Sequence, residues 1–158
     1  MQQNEKKKKP LVSIGMPVFN GEKYIIKALD SLLNQTFSNF KLIISDNAST
    51  DNTQIICEEY ALKDNRIRYV RQPENRGALF NFKFVLNNSM GKYFMWAAHD
   101  DWRTPEFLEA NVSALESNLK FVASMSPNCF DNEVNKQDKY VKFSLSGSLK
   151  ERFSTFLK

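Results

Sequence analysis

Apolar and polar positions follow two alternating patterns along this chain. Short apolar runs, bounded by turn residues, predict strands, whereas longer segments with apolar residues three and four positions apart predict helices between them. The strands predicted in this way cover residues 11–18, 40–45, 93–98 and 121–126, with a further short strand at 67–71, and the helical segments cover residues 22–35, 51–63, 78–88 and a region from 104 to about 119. This order predicts an α/β fold, with a mostly parallel sheet and helices on both faces.

The predicted sheet brings several polar loops to one edge. In an open parallel sheet the ligand site lies beyond the carboxyl ends of the strands. The loops expected there are residues 17–22, 46–51 and 99–103, while residues 73–77 open the helix before the fourth strand. Two helix starts are also predicted, a capping box formed by Asp51 and Gln54, and a start at Thr104 before Pro105.

Composition describes an ordinary globular chain. Of its 158 residues, 42% are hydrophobic and 25% charged, which suits one folded domain or the first part of a larger one. The net charge of +4 favours anionic partners such as nucleotides, but it arises from the lysine run at residues 6–9. Since the remaining charges balance, a nucleic-acid-binding surface is not indicated.

Two cysteines, Cys57 and Cys129, show no paired spacing, and no apolar run resembles a signal peptide or a spanning helix. We therefore expect a reducing, cytoplasmic location. The basic run predicts a solvated arm, and the alternative is peripheral contact with the anionic inner face of a membrane.

The acidic pair Asp100 and Asp101, at the end of an aromatic strand, is the main candidate for chemistry. Adjacent carboxylates repel one another, and Mg²⁺ or Mn²⁺ bound by oxygen ligands would relieve that repulsion. A solvated turn before the next helix is the alternative. His99 beside them is expected to hold a position rather than to catalyse. The glycine-rich motifs of dinucleotide-binding proteins and of nucleoside triphosphatases are absent from the sequence.

Five sequence blocks carry a family resemblance. They are MPVFNGEKYI at 16–25, SLLNQTF at 31–37, SDNASTDNT at 45–53, ENRG at 74–77 and HDDW at 99–102. In this order, they resemble the N-terminal half of a family 2 glycosyltransferase with the GT-A fold. The resemblance covers about residues 11–119.

The resemblance implies roles for several residues at the predicted edge. The turn after the first strand would line the nucleotide pocket, Asp46 would accept a hydrogen bond from the base, and Arg76 would face the base or the phosphates. Asp100 would take a ribose hydroxyl or a metal-bound water, and Asp101 would bind the divalent cation, Mn²⁺ or Mg²⁺. The pocket residues of that turn are Pro17, Phe19, Asn20 and Glu22.

This chain departs from the family pattern at two positions. Ala98 stands where many members carry the first acid of an Asp-x-Asp-Asp motif, so the division of ribose and metal between Asp100 and Asp101 stays open. Asn47 stands where a second Asp is common, which keeps hydrogen-bonding capacity but removes a charge.

The domain organisation expected from these features has three parts. Residues 1–10 form a basic tail, residues 11–126 form the nucleotide-sugar-binding domain, and residues 127–158 begin an acceptor-side region that reads as truncated. The resemblance places the general base beyond Lys158. An apolar helical face near the end predicts self-association; its residues are Leu149, Phe153, Phe156 and Leu157.

The function implied by the resemblance is transfer of a sugar from a UDP-linked donor to an acceptor hydroxyl. The transfer would invert the anomeric centre and serve polysaccharide or glycan synthesis on a glycan or lipid-linked acceptor. One alternative is a non-catalytic nucleotide-binding or interaction module. A nucleotidyltransferase is disfavoured because residues 15–23 lack a glycine-rich basic loop.

Overall fold

The structure is a computed structural model, and it describes residues 9–117. Four strands alternate with four helices along the described chain. The strands are β1 (Val12–Val18), β2 (Phe40–Asp46), β3 (Ile67–Arg71) and β4 (Tyr93–Trp96), and the helices are α1 (Ile25–Leu33), α2 (Thr53–Lys63), α3 (Ala78–Asn87) and α4 (Phe107–Ser117).

The four strands form one parallel sheet in the order β3-β2-β1-β4. The chain moves outward from β1 through β2 to β3 and then crosses to the other side of β1 for β4. The connection therefore changes direction beside β1, which is the position where open α/β sheets form a ligand crevice.

Helices cover both faces of this sheet. Every residue of β1 is buried, as expected for a central parallel strand. On one face, Ile14 joins the core cluster with Leu29 of α1, Cys57 of α2 and Leu108 of α4. On the other face, a Cβ placed on Gly15 would lie 2.7 Å from a methyl carbon of Val85 in α3. The predicted α/β fold is thus confirmed.

The helix starts differ from the predicted ones. Helix α2 begins at Thr53, with Asn52 as its N-cap residue and no side-chain hydrogen bond from that cap. Asp51 Oδ1 accepts from the Thr53 N–H, and the Gln54 side chain donates to Glu58, so the predicted capping box is wrong. Helix α4 begins at Phe107, later than the predicted start at Thr104. The Thr104 carbonyl instead accepts a hydrogen bond from the Gln35 side chain at 2.7 Å, which ties this segment to the end of α1.

Several predictions lie outside the described residues. They concern residues 1–8, the fifth strand at 121–126, the acceptor-side region at 127–158 and the apolar helical face near the end of the chain. Within residues 9–117, no helix is long and apolar enough to cross a membrane.

Candidate functional site

The loops that follow β1 and β2 are joined by hydrogen bonds at the carboxyl edge of the sheet. The Asn20 backbone N–H donates to Ser49 Oγ at 2.9 Å, and Asn20 Oδ1 accepts from the Thr50 N–H at 2.8 Å. Asn20 has a positive φ of 51°, a conformation that asparagine tolerates better than most residues. The Asn20 side chain, predicted to contact the nucleotide, therefore holds the two loops together.

Glu22 completes the connection between the same loops. Its N–H donates to Asp51 Oδ2 at 3.1 Å, and its Oε2 accepts from the Asn52 N–H at 2.6 Å. Burial tends to raise the pKa of Asp51, but hydrogen bonds from Thr53 and from the Glu22 backbone outweigh it and lower that pKa. Both carboxylates thus organise the backbone of the edge.

Asp46, at the end of β2, is buried, with 0% of its surface exposed. Its Oδ1 accepts from the Ser49 N–H at 2.8 Å, and its Oδ2 accepts from the Tyr69 hydroxyl at 2.7 Å and from Arg71 Nη1 at 2.8 Å. A carboxylate has about four acceptor sites, and three are occupied here. The resemblance assigns Asp46 to the base, and the structure shows that its oxygens are covered by neighbouring donors.

Tyr69 and Arg71 are site residues that the sequence did not identify. Burial, followed by the hydrogen bond to Asp46, raises the pKa of Tyr69, so its hydroxyl stays a donor at neutral pH. Arg71 also donates to the Ser49 carbonyl at 2.9 Å, and its side chain remains 35% exposed. Tyr69 and Arg71 occupy alternate positions of β3 and so share one face. This spacing was the feature of the sequence that could have indicated their shared role.

Asn47 connects the end of β2 to the loop before α3. Its Nδ2 donates to Asn75 Oδ1 at 2.7 Å and to the Gly77 carbonyl at 3.2 Å, and its Oδ1 accepts from the Arg76 N–H at 3.0 Å. The side chain is 2% exposed. Asn47 was treated in the sequence as an acid that had lost its charge, and its role in holding this loop was missed.

Arg76 is exposed, and its guanidinium lies over the ring of Phe80, with 4.0 Å between the central carbon and the ring centroid. Gly77 follows with φ 81° and ψ 163°, a conformation almost restricted to glycine. The loop therefore turns sharply into α3 and presents a flat cationic group near the carboxyl edge.

The acidic pair lies in the loop after β4. Asp100 and Asp101 are both exposed, and Asp101 Oδ2 is 3.2 Å from Arg103 Nη2. His99 packs against the loop after β1, since a Cβ placed on Gly21 would lie 2.7 Å from its Cδ2. This contact brings the acidic loop beside the loops described above.

Pro17 marks where the sheet opens between β1 and β4. The Ala97 N–H donates to the Gly15 carbonyl at 2.9 Å, and Pro17 points to the same side but has no N–H to donate. Pairing of β1 with β4 accordingly ends at Gly15 and Trp96. Pro17 is buried, whereas Phe19 just beyond it is 43% exposed at the edge.

Comparison with known proteins identifies the family to which this chain belongs. The family model described as "Glycosyl transferase family 2" matches residues 13–157. The chain belongs to glycosyl transferase family 2. The resemblance found in the sequence blocks is thereby confirmed.

Two kinds of relative agree with this family. The chain is 36% identical over 98 residues to glycosyltransferase GlyA of Streptococcus pneumoniae, a match covering 62% of the chain and 14% of GlyA. It also resembles the S. aureus TarS 1–349 structure in complex with UDP-GlcNAc, with 26% identity, a TM-score of 0.71, and coverage of 80% of the chain and 37% of that 1–349 chain.

A third similarity concerns the fold alone. The mannosyltransferase PcManGT of Pyrobaculum calidifontis, solved in complex with GDP-Man and Mn²⁺, has 23% identity and a TM-score of 0.61, covering 69% of the chain and 33% of that protein. The chain thus matches well under two thirds of the length of each of these three relatives.

Divalent cations are common in family 2 enzymes, and the acidic loop can be tested for one. Among residues 9–117 there is no group of three His, Cys, Asp or Glu side chains that could hold a metal. A site built only from protein ligands is therefore not formed by this part of the chain. Two exposed carboxylates do fit a cation that completes its shell with substrate phosphates and water.

Proposed function

We propose that this chain forms the nucleotide-sugar-binding part of a glycosyltransferase. Its donor is a nucleoside-diphosphate sugar, UDP-linked, held together with Mn²⁺ or Mg²⁺. The sugar passes to a hydroxyl of a glycan or lipid-linked acceptor, with inversion, in polysaccharide or glycan synthesis.

The observation that carries this proposal is the convergence of four loops at the opening between β1 and β4. Hydrogen bonds join the loops after β1 and β2, Asn47 adds the loop before α3, and His99 packs the acidic loop against Gly21. Support also comes from TarS, which was solved with UDP-GlcNAc and with UDP.

The exposed side chains suggest which part of the donor each loop would bind. Phe19 offers an exposed ring to a base, and Arg76 offers a positive charge to the diphosphate. Asp100 and Asp101 would hold the cation, which when bound neutralises the charge of the departing diphosphate. Asn20 and Glu22 act by holding the loops after β1 and β2 together.

The proposed role of Asp46 in reading the base has a structural requirement. Its carboxylate is buried beneath Tyr69 and Arg71, so a base N–H reaches it only if one of those donors moves aside. Loss of a hydrogen bond to a charged group costs about 1.5–3 kcal/mol, and the hydrogen bond from the incoming base must compensate for that loss.

Calorimetric titration with UDP and GDP, in Mn²⁺ and in chelator, tests the proposal. We expect binding in Mn²⁺ and much weaker binding in chelator, because the acidic pair repels a diphosphate that carries no cation. Asp101→Asn should reduce the difference between the two conditions.

The matched control is Glu116→Gln, which removes a carboxylate that pairs with Lys92 near the start of β4, at the opposite edge of the sheet. It should leave both affinities unchanged. Equal affinity for UDP in Mn²⁺ and in chelator would contradict the proposed cation role of Asp101. Failure to bind either nucleotide would contradict the proposed function itself.

Transfer is tested separately from binding, because the alternative is a module that binds nucleotide without catalysis. An assay with donor sugars and a panel of acceptors distinguishes the two, provided that the 158-residue chain is compared with any longer natural form of the protein. Glycoside formation supports the transferase, and donor binding without product in both forms supports the alternative. We further propose a cytoplasmic location with peripheral contact at the inner face of the membrane, which fractionation of cells tests.

A further inference from the structure

The Asn47 side chain uses all of its hydrogen-bonding groups on one short loop. Its amide nitrogen donates to Asn75 Oδ1 and to the Gly77 carbonyl, and its amide oxygen accepts from the Arg76 N–H. Its own backbone N–H donates to the Val18 carbonyl at 2.9 Å. Asn47 therefore fixes three consecutive residues of the loop to the ends of β1 and β2.

These contacts require an amide rather than a carboxylate. An amide has both donors and an acceptor, whereas an ionised carboxylate only accepts. An Asp at position 47 would keep the bond from the Arg76 N–H but would place oxygen against two further oxygens, those of Asn75 and Gly77. Asp46 has the opposite surroundings, because all three of its partners are donors.

The loop that Asn47 holds determines where Arg76 lies. The Gly77 N–H donates to Asn75 Oδ1 at 2.9 Å, so Asn75 Oδ1 accepts from both Asn47 and Gly77. With its own N–H bound to Asn47, Arg76 extends from a fixed backbone and stacks on Phe80. Ordering a long side chain in advance reduces the entropy lost when a ligand binds.

We propose that Asn47 is a positioning residue of the nucleotide site and acts through Arg76. By closing the loop at residues 75–77, it holds the Arg76 guanidinium on Phe80, where that group meets the diphosphate of the donor. This inference rests on the proposed function and adds to it a requirement for a neutral amide at position 47.

A double-mutant cycle on UDP binding tests the inference. The variants are Asn47→Leu, which keeps the branching and the number of heavy atoms without adding charge, Asn47→Asp, Arg76→Ala, and Asn47→Leu combined with Arg76→Ala. We expect each single variant to weaken UDP binding about tenfold, the scale of one lost hydrogen bond to a charged group. The double variant should bind no more weakly than Arg76→Ala alone, because Asn47 acts through Arg76.

Three comparisons separate positioning from a general loss of structure. Uridine, which lacks the diphosphate, should bind equally to the wild type and to all three single variants. Asn39→Leu is the matched control, since Asn39 Oδ1 accepts from the Leu11 N–H near the start of β1, at the opposite edge. Hydrogen exchange at the Arg76 amide should be faster in Asn47→Leu than in the wild type.

The possible failures can be told apart. A wild-type chain that binds no nucleotide overturns the proposed function and this inference together. If the wild type binds UDP but Asn47→Leu binds it equally well, only the inference is wrong. The same conclusion follows if the losses from Asn47→Leu and Arg76→Ala multiply in the double variant, or if uridine binding falls as much as UDP binding.

Discussion

The guanidinium of Arg71 covers the carboxylate of Asp46, with 2.8 Å between Nη1 and Oδ2. The two residues are direct partners in the register of β2 and β3. The carboxylate is completely buried while the Arg71 side chain is 35% exposed, so Arg71 lies between the buried charge and solvent. The end of β2 therefore depends on a residue of the neighbouring strand.

The first prediction concerns this pair. Arg71→Ala should lower the free energy of unfolding by about 1.5–3 kcal/mol, since a buried carboxylate loses a charged hydrogen-bond partner. Urea unfolding measures the change. The control is Arg68→Ala, an exposed residue of the same strand, which should change stability by less than about 0.5 kcal/mol. Equal effects of the two variants would show that Asp46 does not need Arg71.

The second prediction concerns the contact between Gly21 and His99. A Cβ on Gly21 would lie 2.7 Å from His99 Cδ2 and 2.7 Å from Val18 Cγ2, so Gly21→Ala should destabilise the fold by about 1–3 kcal/mol. Part of this loss should be recovered in the double variant with His99→Ala, because one of the two clashes is removed. Thermal unfolding of the single and double variants checks this. Additive losses would show that His99 does not press on this loop.

Much of the fold was predictable because each element has a clear local pattern. The strand predicted at residues 67–71 has the bounds of β3, and the helical spacing from residue 78 predicted α3 to within one residue at its end. The central strand β1 is buried throughout and mostly apolar, as expected in a parallel sheet, and turn residues separate the strands from the helices.

The partners of Asp46 were not predictable in the same way. Tyr69 and Arg71 reach it from β3, more than twenty residues later in the chain, and only the strand register brings them together. A strand-end acid with no visible partner looks exposed in the sequence. The structure shows it buried, because neighbouring strands supply donors that local patterns do not reveal.

The predicted start of α2 was wrong for a related reason. Asp51 and Gln54 have the spacing of a capping box, yet the Asp51 oxygens accept from the N–H groups of Glu22 and Thr53. A contact between two loops thus replaced the local one. The hydrogen-bonding capacity expected of Asn47 is present, but its partners could not be identified from the sequence, since they belong to a loop almost thirty residues away.

The third prediction concerns the chemistry of Cys57. This thiol is buried in α2, and its desolvation, with a smaller contribution from Asp46, raises its pKa to about 12. Because the thiolate is the reactive form, Cys57 should not react with a thiol reagent at pH 8 until the protein unfolds. The measurement uses a Cys129→Ser background, so that a single thiol is followed. Rapid labelling of the folded protein would contradict the prediction.

The fourth prediction is a pH dependence at the turn between α2 and β3. Hydrogen bonds from the Arg66 side chain lower the pKa of Asp64, and Arg66 Nη2 lies 2.7 Å from Asp64 Oδ2. A lowered pKa means that the folded state favours the ionised carboxylate. Its contribution to stability is therefore complete above the unfolded pKa of about 4 and is lost as the pH falls through the lower folded value.

The variant that tests this is Asp64→Asn, compared with the wild type by urea unfolding at pH 6 and pH 3. At pH 6 the variant should be less stable by about 1 kcal/mol, and at pH 3 the difference should shrink, because the carboxyl of the unfolded wild-type chain is then mostly protonated. The matched control is Glu59→Gln, which removes an exposed partner of Lys63 at the end of the same helix, where the Glu59 side chain is 61% exposed. That variant should differ little from the wild type at either pH, since exposed pairs contribute little. A difference for Asp64→Asn that is the same at both pH values would mean that the Asp64 side chain stabilises the turn by its shape and not by its charge.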